Sequence, residues 1–423
     1  MKSVWILQTG EPVPGDPGNP RKLRAFNLAE KLANEGISVT IWTSLFDHTK
    51  KLHRESSEGY RFNEFIDVKF LKSPGYKNNI SISRLYDHLI LAKNFKRATK
   101  NTPNKPDLLF IGFPPIELAY IAIKWAKKNS IYTILDYKDL WPEIFLNILS
   151  GRFQHILKFF LYPFFYMSRF TLSQVDALIS ISEPFLNKAL LVSGRKRTNK
   201  DTVIPLTTNN ENKRTNEGKS DFDLILQSIS FDKDKDHLLS FAGTFMVDVF
   251  DFNILKETIN ELSKRGISLK VILCGEGQEK NFWEQKFLNQ KEIFFAGWVN
   301  QEILSRVQEQ SLAILIPLKD REDFSLSIPN KAIDALSKGK IILTGTDSYL
   351  SQSLLANQAG FKYTDYMSLS DIIEGLVLDK NRKLIFESNA LEFYIDKFEF
   401  NKTYQKLINL IFLLFEKNAK RKR

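Results

Sequence analysis

Short aliphatic runs alternate with helix-length amphipathic segments along most of the chain. Residues 4–7 and 38–43 read as strands, and between them Leu23, Phe26, Leu28, Leu32 and Ala33 recur at helical spacing. Asn19 is placed to cap that helix over 21–35, Pro20 suits its first turn, and Gly36 ends it. Strands are then expected over 107–111, 131–135 and 177–181, with helices over 116–128 and 153–174. Residues 207–237 interrupt the pattern. They are mostly polar and charged apart from 222–226, and read as a linker or surface excursion. The alternation restarts with strands at 239–242, 269–274, 292–296, 312–317 and 341–344, and helices at 252–264, 279–288, 302–309 and 330–337. Such a pattern predicts the α/β class, with two doubly wound parallel sheets forming two Rossmann-like domains. The expected boundaries are 1–208, a polar linker at 209–237, a second domain at 238–398, and a terminal helix with a basic tail at 399–423. Ligands of these folds bind outside the carboxyl ends of the strands, so the loops there carry the candidate chemistry.

Composition narrows the class. A length of 423 residues suits two domains, and 43% hydrophobic against 26% charged residues excludes wholesale disorder. Cys274 is the only cysteine, so no intramolecular disulfide forms, which fits a reducing cytoplasm. Sixty Lys plus Arg against 49 Asp plus Glu leave a charge of +11. That excess suits nucleic acid, an anionic membrane or phosphorylated small molecules. No nucleic-acid recognition motif is present, the basic residues are scattered, and no nucleic-acid partner is expected. Near the start, Gln8 and Thr9 cut the apolar run too short for a signal peptide. The most apolar stretch, 159–167, is broken by Pro163 and falls short of the roughly 20 residues that span a bilayer.

Four loops stand out. The stretch 9–21, TGEPVPGDPGNPR, places Gly10 and Gly15 before a helix, where backbone can approach an anion; a plain structural turn is the competing reading. Gly275, Glu276 and Gly277 follow a strand directly, as a phosphate-contacting or an ordinary strand-to-helix turn would. The segment 136–143, DYKDLWPE, packs three carboxylates, a lysine and an indole into eight residues, dense for a solvated loop. In 319–334, Arg321 lies in a charged loop, while Asn330 and Lys331 open a helix suited to a diphosphate, with Asp334 one turn on for ribose hydroxyls. A well-capped surface helix would look the same. His48 and His53 are spaced poorly for a shared metal ion. Lys50, Lys51 and Arg54 surround them with positive charge suited to a phosphate-bearing acceptor.

The order of motifs resembles glycosyltransferase family 4. PNKAIDALSKGK, preceded by AILIPL and followed by IILTG, is similar to its donor-binding segment, as are FAGTF, ILCGEGQEK and FFAGWV earlier in the second half. RAFNLAEKLANEGISVTIWTS and DYKDLWPE match in the first half, and the DLWP loop together with SLFDHTKKLHR resembles members from surface-polysaccharide and O-antigen loci. The resemblance implies a GT-B fold whose two domains face a central cleft. It implies transfer from a nucleotide-diphosphate sugar to a saccharide or polyprenyl-linked acceptor, as in lipopolysaccharide synthesis. Transfer would be retaining and need no metal or other cofactor, the departing phosphate taking the acceptor's proton. Donor contacts would fall to Gly10, Gly15, Gly243, Thr244, Gly275, Glu276, Gly277, Arg321, Asn330, Lys331 and Asp334. Asp139, Glu143 and His48 would be catalytic, and Lys50, Lys51 and Arg54 would lie on the acceptor side. Two departures point to an alternative, a weak or inactive GT-B subunit: Leu326 stands where many members have an acid, and Thr244 where many have an arginine.

The resemblance also brings the last helix back onto the first domain, which accounts for its apolar content. Residues 153–170 interleave aromatics with Lys158 and Arg169 and are expected to be a buried helix, or an interfacial one if exposed. With the basic tail 417–423, they make peripheral contact with an anionic membrane a further expectation, at the inner face of the cytoplasmic membrane.

Overall fold

The computed structural model describes residues 2–18, 20–55, 58–79, 81–148, 152–209, 216–247 and 249–421. Asn19, Lys422 and Arg423 lie outside the described residues, as do the side chains of 417–421, so the basic tail is not described. The cap expected of Asn19 falls instead to Leu23, which makes no side-chain capping bond, and Pro20 precedes the helix. The chain forms two compact units, residues 1–205 with 401–423, and residues 206–400.

The first unit holds an eight-stranded sheet. From one edge its strands are Thr202–Val203, Ala177–Ser180, Tyr132–Tyr137, Leu108–Phe113, Ser3–Leu7, Ser38–Ser44, Ile66–Leu71 and Tyr60–Arg61. All neighbours pair in parallel except the last two. Leu108–Phe113 and Tyr132–Tyr137 are buried along their whole length; the first is a continuous apolar run, and the second is broken only by Thr133 and the ion-paired Asp136. The second unit has six parallel strands in the order Ile293–Gly297, Ser268–Cys274, Asp236–Ala242, Ala313–Ile316, Ile342–Thr344 and Gly360–Lys362. In both sheets the strand order reverses beside the first strand. The crevice at that switch point, outside the carboxyl ends, is where doubly wound folds bind ligands.

Several expectations are corrected. The first helix is Arg24–Asn34, not 21–35, because Leu23 is extended and Arg24 is drawn into a buried ion pair. The long helix over 153–174 is two, Arg152–Phe160 and Tyr162–Gln174. Pro163 cannot donate into a continuing helix but fits the first turn of a new one. Among the described residues only the later part of the second helix is buried, at Ser168, Thr171 and Leu172; Ile156, Phe159, Phe160, Tyr162 and Tyr166 are between 54% and 77% exposed. Part of the expected linker is the helix Asn216–Ser228, which packs on Gln301–Gln310 and inserts Phe222 and Leu226, with Ile229 just beyond, into the second unit's core. Of the rest of that stretch, 210–215 lies outside the described residues, and Asp236 and His237 already belong to the strand Asp236–Ala242. The helix Phe400–Arg421 packs in the first unit, burying Tyr404, Leu407, Ile408, Ile411 and Leu414. Lys406 there donates to the Val203 carbonyl, and the Lys2 ammonium lies 5.3 Å from the Phe415 ring centroid.

Candidate functional site

Each unit carries a candidate site at its switch point. In the first, a cavity of about 180 Å³ is lined by Gln8 to Glu11 after the first strand, by Ser44, Phe46 and His48 after the second, by Phe113 to Pro115, and by Lys138 and Asp139. Tyr76, Arg84, Asp87, His88 and Leu91 complete the wall, the last four from the helix Ile82–Thr99.

Beneath the cavity runs a network of buried charges. Arg24 donates to Asp136 at 2.8 Å and to the Ile204 and Pro205 carbonyls, while Lys138 donates to Glu11 at 2.7 Å and lies 3.2 Å from Asp136. Burial opposes the Lys138 charge, but Asp136 and Glu11 outweigh it and raise its pKa. The acid-rich loop is thus partly structural: Asp136 is fully buried and paired, whereas Asp139 is exposed at the cavity. Glu143 begins the short helix Glu143–Ile148 and is not among the lining residues.

His48 Nδ1 is hydrogen-bonded to the Tyr76 hydroxyl, and Lys51 Nζ approaches the same nitrogen at 3.5 Å. Burial, then Arg84, Lys51 and His88, lower the His48 pKa to about 3, so the imidazole is neutral at ordinary pH. Burial and then Arg84 also lower Lys51, which donates to Asn79 at 2.6 Å. Arg84 stacks on Tyr76 and Trp141, 5.3 and 4.7 Å from their centroids. Lys50 and Arg54 have other duties. Lys50 donates to the Pro17 carbonyl, and Arg54 grips both oxygens of Asp16 at 2.7 Å and the Ser44 carbonyl at 2.7 Å. They hold the glycine loop, in which Gly15 takes φ +97°; neither they nor Gly15 line the cavity.

Sequence reasoning missed His88. Its Nδ1 lies 3.6 Å from Glu117 Oε2, and both side chains are almost fully buried. Neither Nδ1 nor either Glu117 oxygen has a hydrogen-bond partner among the described residues. The signal was present: Arg84, Asp87, His88 and Leu91 recur at helical spacing, with apolar Ile82, Tyr86 and Leu89 exposed on the other side. In the first half of this helix polar Asp87 and His88 thus take the inward face that apolar residues usually hold, while Leu91, Ala92 and Phe95 hold it in the second half.

In the second unit, Gly243 and Thr244 follow the strand Asp236–Ala242, and Gly275 to Gly277 follow Ser268–Cys274. The two loops lie against each other. A Cβ on Gly275, at φ +137°, would come 1.9 Å from the Gly243 carbonyl, and one on Gly277, at φ +151°, 2.5 Å from that of Phe245. Phe245 N–H donates to the Glu276 carbonyl, whose own side chain accepts from Lys280 at 2.7 Å. Lys331 opens the helix Asn330–Leu336, and its ammonium lies 4.3 and 4.0 Å from the Phe241 and Phe250 centroids. A Cβ on Gly243 would come 2.1 Å from Lys331 Nζ, so the ammonium lies directly against this glycine. Burial lowers the Lys331 pKa to about 7, and among the described residues no ion pair or hydrogen bond engages the ammonium. Asp334 is buried one turn on, Asn330 and Thr244 are exposed, and Arg321 stacks 4.9 Å from the Phe324 centroid. Gly243 and Lys331 are therefore brought together, and Gly243 with Gly275.

No protein-family model and no curated protein matches the chain. Solved structures do. Sucrose-phosphate synthase from Thermosynechococcus elongatus is similar at TM-score 0.68 and 14% identity, over 98% of this chain and 100% of that one. Anabaena HepE in complex with UDP-glucose is similar at 0.62 and 13%, over 97% and 99%. WaaG, a glycosyltransferase involved in lipopolysaccharide biosynthesis, is similar at 0.64 and 12%, over 97% and 99%. At these identities the likeness is one of fold. The fold is of the GT-B class, with two Rossmann-like units.

Proposed function

We propose that this protein moves a sugar from a nucleotide diphosphate to a saccharide or polyprenyl-linked saccharide, with retention and without a metal, in the synthesis of a surface polysaccharide. The observation that carries the reading is Lys331, a desolvated cation with no anionic partner among the described residues, set against a glycine loop at the switch point. As the glycosidic bond breaks, negative charge grows on the departing diphosphate. A cation that gives up no ion pair to meet it stabilises that charge strongly in a low-dielectric site. Arg321 supplies a second cation, Gly243, Thr244, Gly275 and Gly277 let backbone approach the phosphates, and Asn330 and Asp334 take the nucleoside or sugar hydroxyls. Structural neighbours solved with UDP and UDP-glucose support a nucleotide sugar as the donor.

In the first unit, Gly10, Asp139 and neutral His48 receive the acceptor, with Lys51 and Arg84 beside it. Glu143, Lys50 and Arg54 act one step back by holding the loops. A lipid-linked acceptor would bring the protein to the cytoplasmic face of a membrane. The test is a thermal-shift screen with UDP, ADP, GDP and UDP-glucose on the wild type and Lys331→Ala. One nucleotide should stabilise the wild type by about 2.7 kcal/mol at a hundred times its Kd, and Lys331→Ala should need far more ligand. Equal response of the two proteins would remove Lys331 from the donor site.

A further inference from the structure

We infer that residues 156–169 of the first unit form a docking surface for an anionic lipid bilayer. Five large apolar side chains here point outward, on two consecutive helices joined at buried Leu161. On the first helix Ile156, Phe159 and Phe160 stand three and four residues apart, on one face, and the two phenyl rings meet edge to face at 5.9 Å. On the second, Tyr162, Tyr166 and exposed Arg169 continue a stripe at the same spacing, and exposed Lys158 lies beside the phenyl pair.

Three observations select a bilayer. The residue types are those of a membrane interface, aromatic rings and aliphatics flanked by cations. No Asp or Glu occurs between Glu143 and Asp176, while exposed Lys158 and Arg169 fall within that interval, so the surface complements negative charge. No helix among the described residues is long and apolar enough to cross a membrane, which leaves a surface-lying mode. Placement adds to this. Tyr162–Gln174 leads into the amino end of the strand Ala177–Ser180, so Tyr162 and Tyr166 lie at the carboxyl edge of the sheet, the edge that carries the cavity. A bilayer against this ridge would present lipid headgroups near the acceptor residues. Docking needs no nucleotide sugar, and only its use in reaching a lipid-linked acceptor rests on the transfer reaction.

The experiment is flotation of the full chain with phosphatidylcholine vesicles, with and without phosphatidylglycerol, comparing wild type, Phe159→Ser/Phe160→Ser and Leu288→Ser. Leu288 is an exposed apolar residue of the second unit and serves as the control. Wild type and Leu288→Ser should float with the anionic vesicles, and the double variant should bind at least about tenfold more weakly. A second measurement labels Phe160→Cys with an environment-sensitive dye, which reaches one site because Cys274 is buried. Anionic vesicles should shift its emission to the blue. Failure of the wild type to float, equal flotation of the double variant, or an unshifted dye would each overturn the assignment. So would a wild-type dimer that the double variant dissociates while vesicles bind neither protein.

Discussion

Lys331→Met tests the proposed donor site through stability before any substrate is known. Burial lowers the lysine from 10.5 to about 7. At about 1.4 kcal/mol per unit, this is a cost of at most about 5 kcal/mol to the folded chain. The Phe241 and Phe250 faces, 4.3 and 4.0 Å from the ammonium, return about 1–2 kcal/mol to the charged form, leaving roughly 3. Between pH 7 and 10.5 the unfolded chain holds this proton and the folded chain does not, so wild-type stability rises with pH across that window. Below pH 7 both states are protonated and the cost is at its full value. Methionine removes the charge and keeps the length of the side chain. Urea unfolding without nucleotide should therefore find Lys331→Met more stable than wild type by about 3 kcal/mol at pH 6, the gap closing towards pH 10. With a nucleotide diphosphate present the order should reverse, because only the lysine gains an anion. At pH 8, wild-type binding should take up a fraction of a proton, measured by calorimetry in two buffers of different ionisation enthalpy. A gap that does not change with pH, or a destabilised Lys331→Met, would refute the reasoning.

Three further outcomes follow from the same structure. Arg24→Met should cost about 3 kcal/mol in urea unfolding, since Asp136 stays buried with only Lys138 nearby, and a cost under 1 kcal/mol would show that the pair holds nothing. His88→Gln should cost about 3 kcal/mol by stranding the Glu117 carboxylate, and His88→Gln/Glu117→Gln should recover most of it; additive costs would mean the two do not act as a pair. Gly275→Ala places a methyl 1.9 Å from the Gly243 carbonyl, so thermal melting should fall and nucleotide-dependent stabilisation should vanish; wild-type behaviour would contradict the packing of the two loops.

The sheets were legible from sequence because buried parallel strands leave continuous apolar runs with little else to imitate. The start of Arg24–Asn34 was not, since it depends on a partner 112 residues away. Ile82–Thr99 escaped because its first half turns Asp87 and His88 inward and Ile82, Tyr86 and Leu89 outward, which blurs the ordinary period that buried Leu91, Ala92 and Phe95 keep in its second half. The break at Pro163 could have been read from the proline alone, but the exposure of the aromatics around it could not: periodicity shows that one face is apolar, not whether another element covers it. The same division holds at the sites. Glycine loops at strand ends announced themselves, whereas Arg54 became a loop clamp through Asp16, and the lack of an anionic partner for Lys331 among the described residues comes from what packing leaves out.

The residues that complete the first unit are separated from its body by the whole of the second. On the ribosome, residues 206–400 emerge as an uninterrupted sequence and have every strand of their sheet before residues 401–421 are made. Until then the groove that receives Leu407, Ile411 and Leu414 stays open, beside Lys2 and Val203 near the two ends of the unit's first segment. Order of synthesis and order of completion are thus inverted. A ribosome stalled within 206–400 would carry a first unit lacking its closing helix, a natural client for chaperones.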